Sequence, residues 1–182
     1  MNLTEKQLES KYIYEGRIIK LRVDKALLPN GKTATREVIE HPGGVCVAAL
    51  TDNDELLFVR QFRYPYSEET LEVPAGKRDS FTEDPFECGV RELREETGAT
   101  AQNFVPLGEL YPTPGVFGEI IWTYLATDLT FGETDLDEDE FLNVIKIPLE
   151  KAVEMVMAGE IKDAKTQIAV LKTKRLRDMG KI

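Results

Sequence analysis

Three glutamates, Glu92, Glu95 and Glu96, crowd one short stretch of the chain. If that stretch is helical, about 100° per residue puts Phe86, Val90, Leu93 and Thr97 in one narrow arc that faces the core. Glu95 then lies opposite the arc, and Glu92 and Glu96 share one flank. Like charges at this spacing repel in an isolated helix. The residues admit two readings. One is a solvated face, with Arg91 and Arg94 as partial partners. The other is a divalent-cation site, because Mg2+ takes hard oxygen ligands and needs few carboxylates when substrate phosphates supply the rest. A second acidic run, Asp137-Glu138-Asp139-Glu140, lies further on. It is not a calcium loop counted from Asp135, because position six is Glu140 rather than Gly and position twelve is Lys146 rather than Glu.

Composition restricts what else could act. The 182 residues include one histidine, His41, and two cysteines, Cys46 and Cys88. That leaves no His-rich zinc chemistry and no disulfide framework, and it fits a reducing cytoplasm. The cysteines, Trp122 and Tyr124 read as core, and His41 as a turn residue. A formal charge of −10 repels a nucleic-acid polymer but leaves small anions accessible through a cation. No apolar run approaches the ~20 residues of a membrane span, and the first residues lack a secretory h-region.

The elements that must position these carboxylates are legible in outline. Residues 11–26 and 34–40 are β-rich and flank Pro29-Asn30-Gly31, a hairpin signal. Val45–Leu50 and Leu56–Phe62 read as a second hairpin around residues 51–54. Thr70–Val73 is a short strand stopped by Pro74. Asp84 as N-cap, Pro85 at N1 and Glu87 at N3 start the glutamate helix, and Gly98 stops it. Phe104–Leu110, Glu119–Ala126 and Val144–Ile147 read as strands, and residues 130–140 as an acidic loop. Helices follow over 148–158 and 163–177, with Lys172, Lys174, Arg175 and Arg177 complementing the last C-terminus. Strands early and helices later predict an α+β fold.

Gly76, Glu83 and Arg91-Glu92-Leu93-x-Glu95-Glu96-x-Gly98-Ala99 resemble the Nudix box. Seven residues separate Glu83 from Arg91, as in that pattern, but six rather than five separate Gly76 from Glu83. The resemblance implies a Nudix-type α/β/α sandwich around a mixed sheet and hydrolysis of a nucleoside diphosphate linked to another group. It implies Mg2+, with Mn2+ as the alternative. It makes Glu92 and Glu96 the principal metal ligands, adds Glu95 and the Ala75 carbonyl, and has Arg91 orient the glutamates.

The likeness extends from about Tyr12 to Leu176. Leu71-Glu72-Val73-Pro74-Ala75-Gly76 and Arg60-Gln61-Phe62-Arg63 are similar to segments of ADP-ribose pyrophosphatases, which implies that Arg63 contacts substrate. Pro114, fifteen residues after Ala99, points to the ADP-ribose and nucleoside-diphosphate-sugar branch. Glu119 matches a substrate-contacting glutamate, Glu138 the water-activating base and Glu140 a metal contact. Residues 1–43 look like the extension through which this branch forms homodimers, with residues 44–182 as the catalytic domain. There Arg36 would stack on the base, while Ile18 offers no aromatic partner. The substrate expected is a nucleotide sugar cleaved at its pyrophosphate. The alternatives are a MutT-type nucleoside triphosphate hydrolase, disfavoured by Pro114 and the N-terminal extension, and a non-catalytic sensor, disfavoured by the intact glutamates.

Overall fold

The computed structural model describes residues 2–136, 138 and 140–182. Its elements are β1 (Lys6–Glu15), β2 (Lys20–Leu27), β3 (Thr33–Glu40), β4 (Gly44–Ala49), β5 (Glu55–Arg63), β6 (Glu68–Glu72) and β7 (Ala75–Lys77). Then come α1 (Pro85–Thr97), β8 (Ala99–Leu110), β9 (Ile121–Phe131), β10 (Leu142–Pro148), α2 (Leu149–Met157) and α3 (Ala164–Asp178). Three sheets result, in the orders β1-β2-β3, β7-β4-β9-β8 and β10-β5-β6. The second is mixed, because β4 runs parallel to β9 while its other pairs are antiparallel.

Strand β4 explains the layering. All six of its residues are buried. Successive side chains of a strand point to opposite faces. Val45, Val47 and Ala49 therefore pack toward Cys88 and Leu93 of α1, while Cys46 and Ala48 pack toward Leu149 and Ala152 of α2 and Ala169 and Val170 of α3. A central strand covered by helices on both faces is apolar throughout, as here. This is the α/β/α sandwich that the Nudix resemblance implies. Among the described residues, no helix is long and apolar enough to cross a membrane.

Helix α1 starts and stops where predicted, although among the described residues Glu87 returns no capping-box bond to the Asp84 N–H. The Asp84 carboxylate accepts the Phe86 N–H at 2.7 Å. Gly98 takes a left-handed φ of 68°, and its N–H closes on the Arg94 carbonyl. The buried face differs from the predicted arc. It comprises Cys88, Gly89, Glu92, Leu93, Glu96 and Thr97, while Phe86 is exposed and Val90 only half-buried. The helix is rolled so that two glutamates, not two apolar residues, enter the interior.

Other boundaries also shift. The β-rich run 11–26 is two strands, β1 and β2, paired antiparallel across a turn at residues 16–19. The turn at 51–54 forms, but β4 and β5 meet only at a Leu50–Leu56 bridge and then part into different sheets. All of β4 and Leu56–Val59 of β5 are buried on two faces, so each needs its own neighbours and helices. Strand β8 starts at Ala99 rather than Phe104, and β9 runs from Ile121 to Phe131 rather than from Glu119 to Ala126. The expected loop therefore loses its first two residues to β9. The short strand β7 forms just past Pro74 and pairs with β4. Lys172 does not act on its own helix end; it reaches across to the Leu107 carbonyl.

Leu93 joins α1 to the central sheet and is fully buried. Leu93→Ala should cost about 3 kcal/mol. Urea and thermal melts should show a midpoint roughly 6–12 °C lower at this chain length.

Candidate active site

Glu92 and Glu96 sit one helical turn apart on α1 and are 7% and 3% exposed. They abut β7. The Ala75 N–H donates to Glu96 Oε2 at 2.9 Å. A Cβ on Gly76 would fall 2.0 Å from Glu92 Cδ, so position 76 tolerates no side chain while Glu92 stays in place. This close approach explains why Gly76 belongs to the motif.

Burial pushes the Glu92 carboxyl up to about 7, against the pull of Arg91. Burial pushes Glu96 up to about 8, and the charges of Glu92 and Glu140 add to the effect. Two hard carboxylates facing one another in a desolvated wall are a donor set that a divalent cation relieves. Among the described residues, no group of three or more His, Cys, Asp or Glu side chains stands close enough to hold one ion. Mg2+ is content with one or two carboxylates plus water and substrate phosphate, so the Glu92–Glu96 pair fits it.

Glu95 is tied to Glu92 through Arg91. Arg91 Nη1 donates to Glu95 Oε2 at 2.9 Å and to Glu92 Oε1 at 2.8 Å. Its other nitrogens approach Glu83 Oε1 at 3.3 and 3.4 Å. Arg91 thus orients three glutamates. The extra residue before Glu83 does not break this grip. Arg78 pins the loop by donating to the carbonyls of Pro42, Phe81 and Glu83, with its guanidinium 4.9 Å from the Trp122 ring.

A cleft of about 330 Å³ opens beside the carboxylates, with Ala75, Gly76, Arg63 and Glu119 in its walls. Arg63 comes from β5 and grips Glu72 with Nε and Nη2, each at 2.6 Å. Lys165, at the start of α3, contacts the same Glu72 and lies 3.0 Å from Asp163. Asp163 caps α3 by accepting the Thr166 N–H. Burial pushes Glu119 up, and its Oε1 lies 3.2 Å from His41 Nδ1.

The structure thus puts Ala75, Arg63 and Glu119 in the cleft walls, with Glu92 and Glu96 against Gly76 and Ala75 of the strand that lines it. Glu140 is exposed, and its charge adds to the upward push on both buried carboxyls. Glu138 is exposed in a turn, and Asp137 and Asp139 lie outside the described residues. Pro114 is exposed and does not line the cleft; Pro112, two residues earlier, does. Arg36 is not in the cleft of its own chain, because Glu5 holds it through a two-pronged pair at 2.6 and 2.9 Å. His41 is more than a turn residue: its ring is buried at the cleft, edge-on to Phe117. Sequence reasoning missed Lys165, Asp163 and the part played by Glu72. The Asp-x-Lys pair at the start of a predicted helix was their only local signal.

Two outcomes follow. Gly76→Ala must displace Glu92, so Mg2+ affinity by calorimetry should fall roughly 10–100-fold, the scale for losing a ligand's positioning. With chelator present, Glu92 and Glu96 hold protons in the folded state that the unfolded chain has released. Their contribution to stability is therefore present below about pH 4.5 and lost as pH rises toward about 8. Glu96→Gln should raise the melting temperature in EDTA at pH 8 by a few degrees, with the gain fading toward pH 5. Parallel melting profiles for the two proteins would contradict this.

Known proteins resemble this chain along most of its length. Residues 40–168 match the NUDIX domain, and residues 5–39 match the nucleoside diphosphate sugar hydrolase N-terminal domain. The chain is 41% identical over 171 residues to an ADP-ribose pyrophosphatase of Bacillus subtilis, covering 93% of this chain and 92% of that one. It is 40% identical over 168 residues to a methanol dehydrogenase activator of Bacillus methanolicus, covering 91% and 90%. It is 33% identical over 141 residues to a GDP-mannose pyrophosphatase of Yersinia enterocolitica, covering 72% and 73%. A solved ADP compounds hydrolase superposes with a TM-score of 0.85 over all of both chains at 22% identity, which supports the fold. The chain belongs to the NUDIX family and is a Nudix hydrolase of the ADP-ribose and nucleoside-diphosphate-sugar branch.

Proposed function

We propose that this protein hydrolyses the pyrophosphate bond of ADP-ribose and related nucleoside diphosphate sugars, giving a nucleoside monophosphate and a sugar phosphate. One observation carries the reading: a buried carboxylate pair, Glu92 and Glu96, stands beside a cleft that also holds Arg63 and Lys165. A cation held by the first two and a diphosphate held by the second two would meet there. The relatives named for ADP-ribose and GDP-mannose support that substrate class.

Glu92 and Glu96 would hold Mg2+, or Mn2+, with the Ala75 carbonyl, Glu95 and Glu140 as further contacts. A bound divalent cation neutralises phosphate oxygens and makes water a nucleophile near neutral pH. Arg91 keeps the glutamate side chains oriented. Arg63 and Lys165 take the phosphate oxygens, Arg63 by its planar fork and Lys165 as a point charge. Glu119 contacts the sugar end. Glu138 takes the proton of the attacking water at its carboxylate, and Glu140, one step nearer the buried pair, serves the cation. Residues 44–182 carry this chemistry in the cytoplasm. Residues 1–43 join two chains into a homodimer, because β1 exposes Leu8, Tyr12, Ile13 and Tyr14 along a sheet too small to be stable alone. In the dimer Arg36 reaches the base.

The experiment is a panel of ADP-ribose, ADP-glucose and GDP-mannose at one Mg2+ concentration with product identification. Arg36 can stack on any ring, so kcat/KM should differ by less than about 100-fold between adenine and guanine, under ~3 kcal/mol. Products other than a monophosphate and a sugar phosphate would reject the assignment. Glu138→Gln should lower kcat far more than it changes KM. A silent Glu138→Gln beside an inactive Glu140→Gln would move the base to Glu140. Light scattering should give about twice the 20.6 kDa of one chain.

A further inference from the structure

Glu72 is 2% exposed, and three polar side chains converge on it. Arg63 donates to both its oxygens at 2.6 Å, the Thr70 hydroxyl donates to Oε1 at 2.7 Å, and Lys165 contacts Oε2. These partners come from β5, β6 and the first turn of α3. Both cations also line the 330 Å³ cleft, whereas Glu72 does not. Desolvating a carboxylate is costly, and a buried ion pair is no sure gain in stability over apolar packing. The burial therefore calls for another reason.

Resting on the hydrolase reading above, we propose that Glu72 is a positioning residue. It fixes the Arg63 guanidinium and the Lys165 ammonium at a set separation, so that both meet the diphosphate of the substrate without first being ordered by it. Three observations agree. The fork uses Nε and Nη2 of Arg63 and leaves the two N–H groups of Nη1 uncommitted among the described residues. Lys165 is nearly enclosed, and Glu72 and Asp163 keep it charged there against the cost of burial. Arg63 is close enough to Glu96 for each to feel the other's charge, so its placement also sets the distance between the anion site and the carboxylate pair. With either cation freed, the substrate must order a long side chain as it binds, and that cost shows as weaker binding.

The test uses the whole protein with Mg2+ and ADP-ribose, and reads KM and kcat separately. Binding of α,β-methylene ADP-ribose, which cannot be cleaved at its bridge, gives a readout without turnover. Glu72→Gln should raise KM and the dissociation constant roughly 10–100-fold and change kcat less than threefold. Glu72→Asp should recover part of the loss. In an Arg63→Ala background Glu72→Gln should add little, since residues acting through one another are non-additive. Should Glu72→Gln fail to fold, Thr70→Val removes only the hydroxyl that steadies Glu72. It should raise KM about threefold, and not in the Arg63→Ala background. An unchanged or lower KM in Glu72→Gln and Thr70→Val, or losses that simply add to those of Arg63→Ala, would overturn the proposal and leave Glu72 as a staple of the fold. A wild-type protein that neither cleaves ADP-ribose nor binds its methylene analogue would instead reject the substrate assignment, and it would do so before any variant is made.

Discussion

The burial of two carboxylates against a glycine is the constraint on which the rest of this molecule turns. Glu92 and Glu96 lie inside the wall formed by α1 and β7, where an ionised carboxylate is costly. A proton or a nearby cation relieves that cost, and positive groups stand close to both carboxylates. Arg91 grips Glu92 from the helix, the Ala75 N–H reaches Glu96 from β7, and the charge of Arg63 pulls the Glu96 carboxyl down against the effect of burial. Gly44 meets Gly76 so closely that a Cβ at 44 would fall 2.8 Å from the Gly76 carbonyl, so β4 fixes β7 where the two carboxylates need it. The fully buried β4 is thus both the centre of the core and the support of the site.

What was legible in the sequence was local. The caps of α1 are written in adjacent residues, Asp84-Pro85 and Gly98, and they form as expected. The box residues Gly76, Glu83, Arg91, Glu92 and Glu96 meet because one helix and one preceding loop carry them all. The loop's extra residue was visible, but its accommodation depends on Arg78 reaching Pro42, thirty-six positions away. The apolar arc misled because it assumes that buried positions are apolar. On α1 two buried positions are glutamates, so the arc was drawn too far toward Phe86. A site that breaks the pattern of its own helix is where function overrides packing.

The illegible parts depend on tertiary contact. Lys165 and Glu72 are 93 positions apart, and nothing near either one announces the other. Likewise the run 11–26 carries no turn signal strong enough to split it, although Gly16 starts the turn that does. Arg36 shows the converse. Its type and place suit a base, but within one chain it is occupied by Glu5, so its role depends on what a second chain does to that pair.

The net charge of −10 poses a last physical question, since the substrate class is anionic too. A diphosphate approaching an acidic surface gains nothing at long range, and salt screens that field beyond about 8–10 Å. Binding must then come from short-range groups in a low-dielectric setting, where each contact is stronger than in water. The cleft supplies them on one side only. Arg63 and Lys165 stand on the β5 and α3 wall, with the buried carboxylates by the β7 wall. This polarity makes the order of events depend on charge. Without a cation at Glu92 and Glu96, a phosphate held by Arg63 faces two groups of its own sign. With one, the same phosphate has positive charge on both sides. On the proposed reading, cation and substrate would therefore strengthen each other's binding, and by linkage the coupling would be the same whichever arrives first.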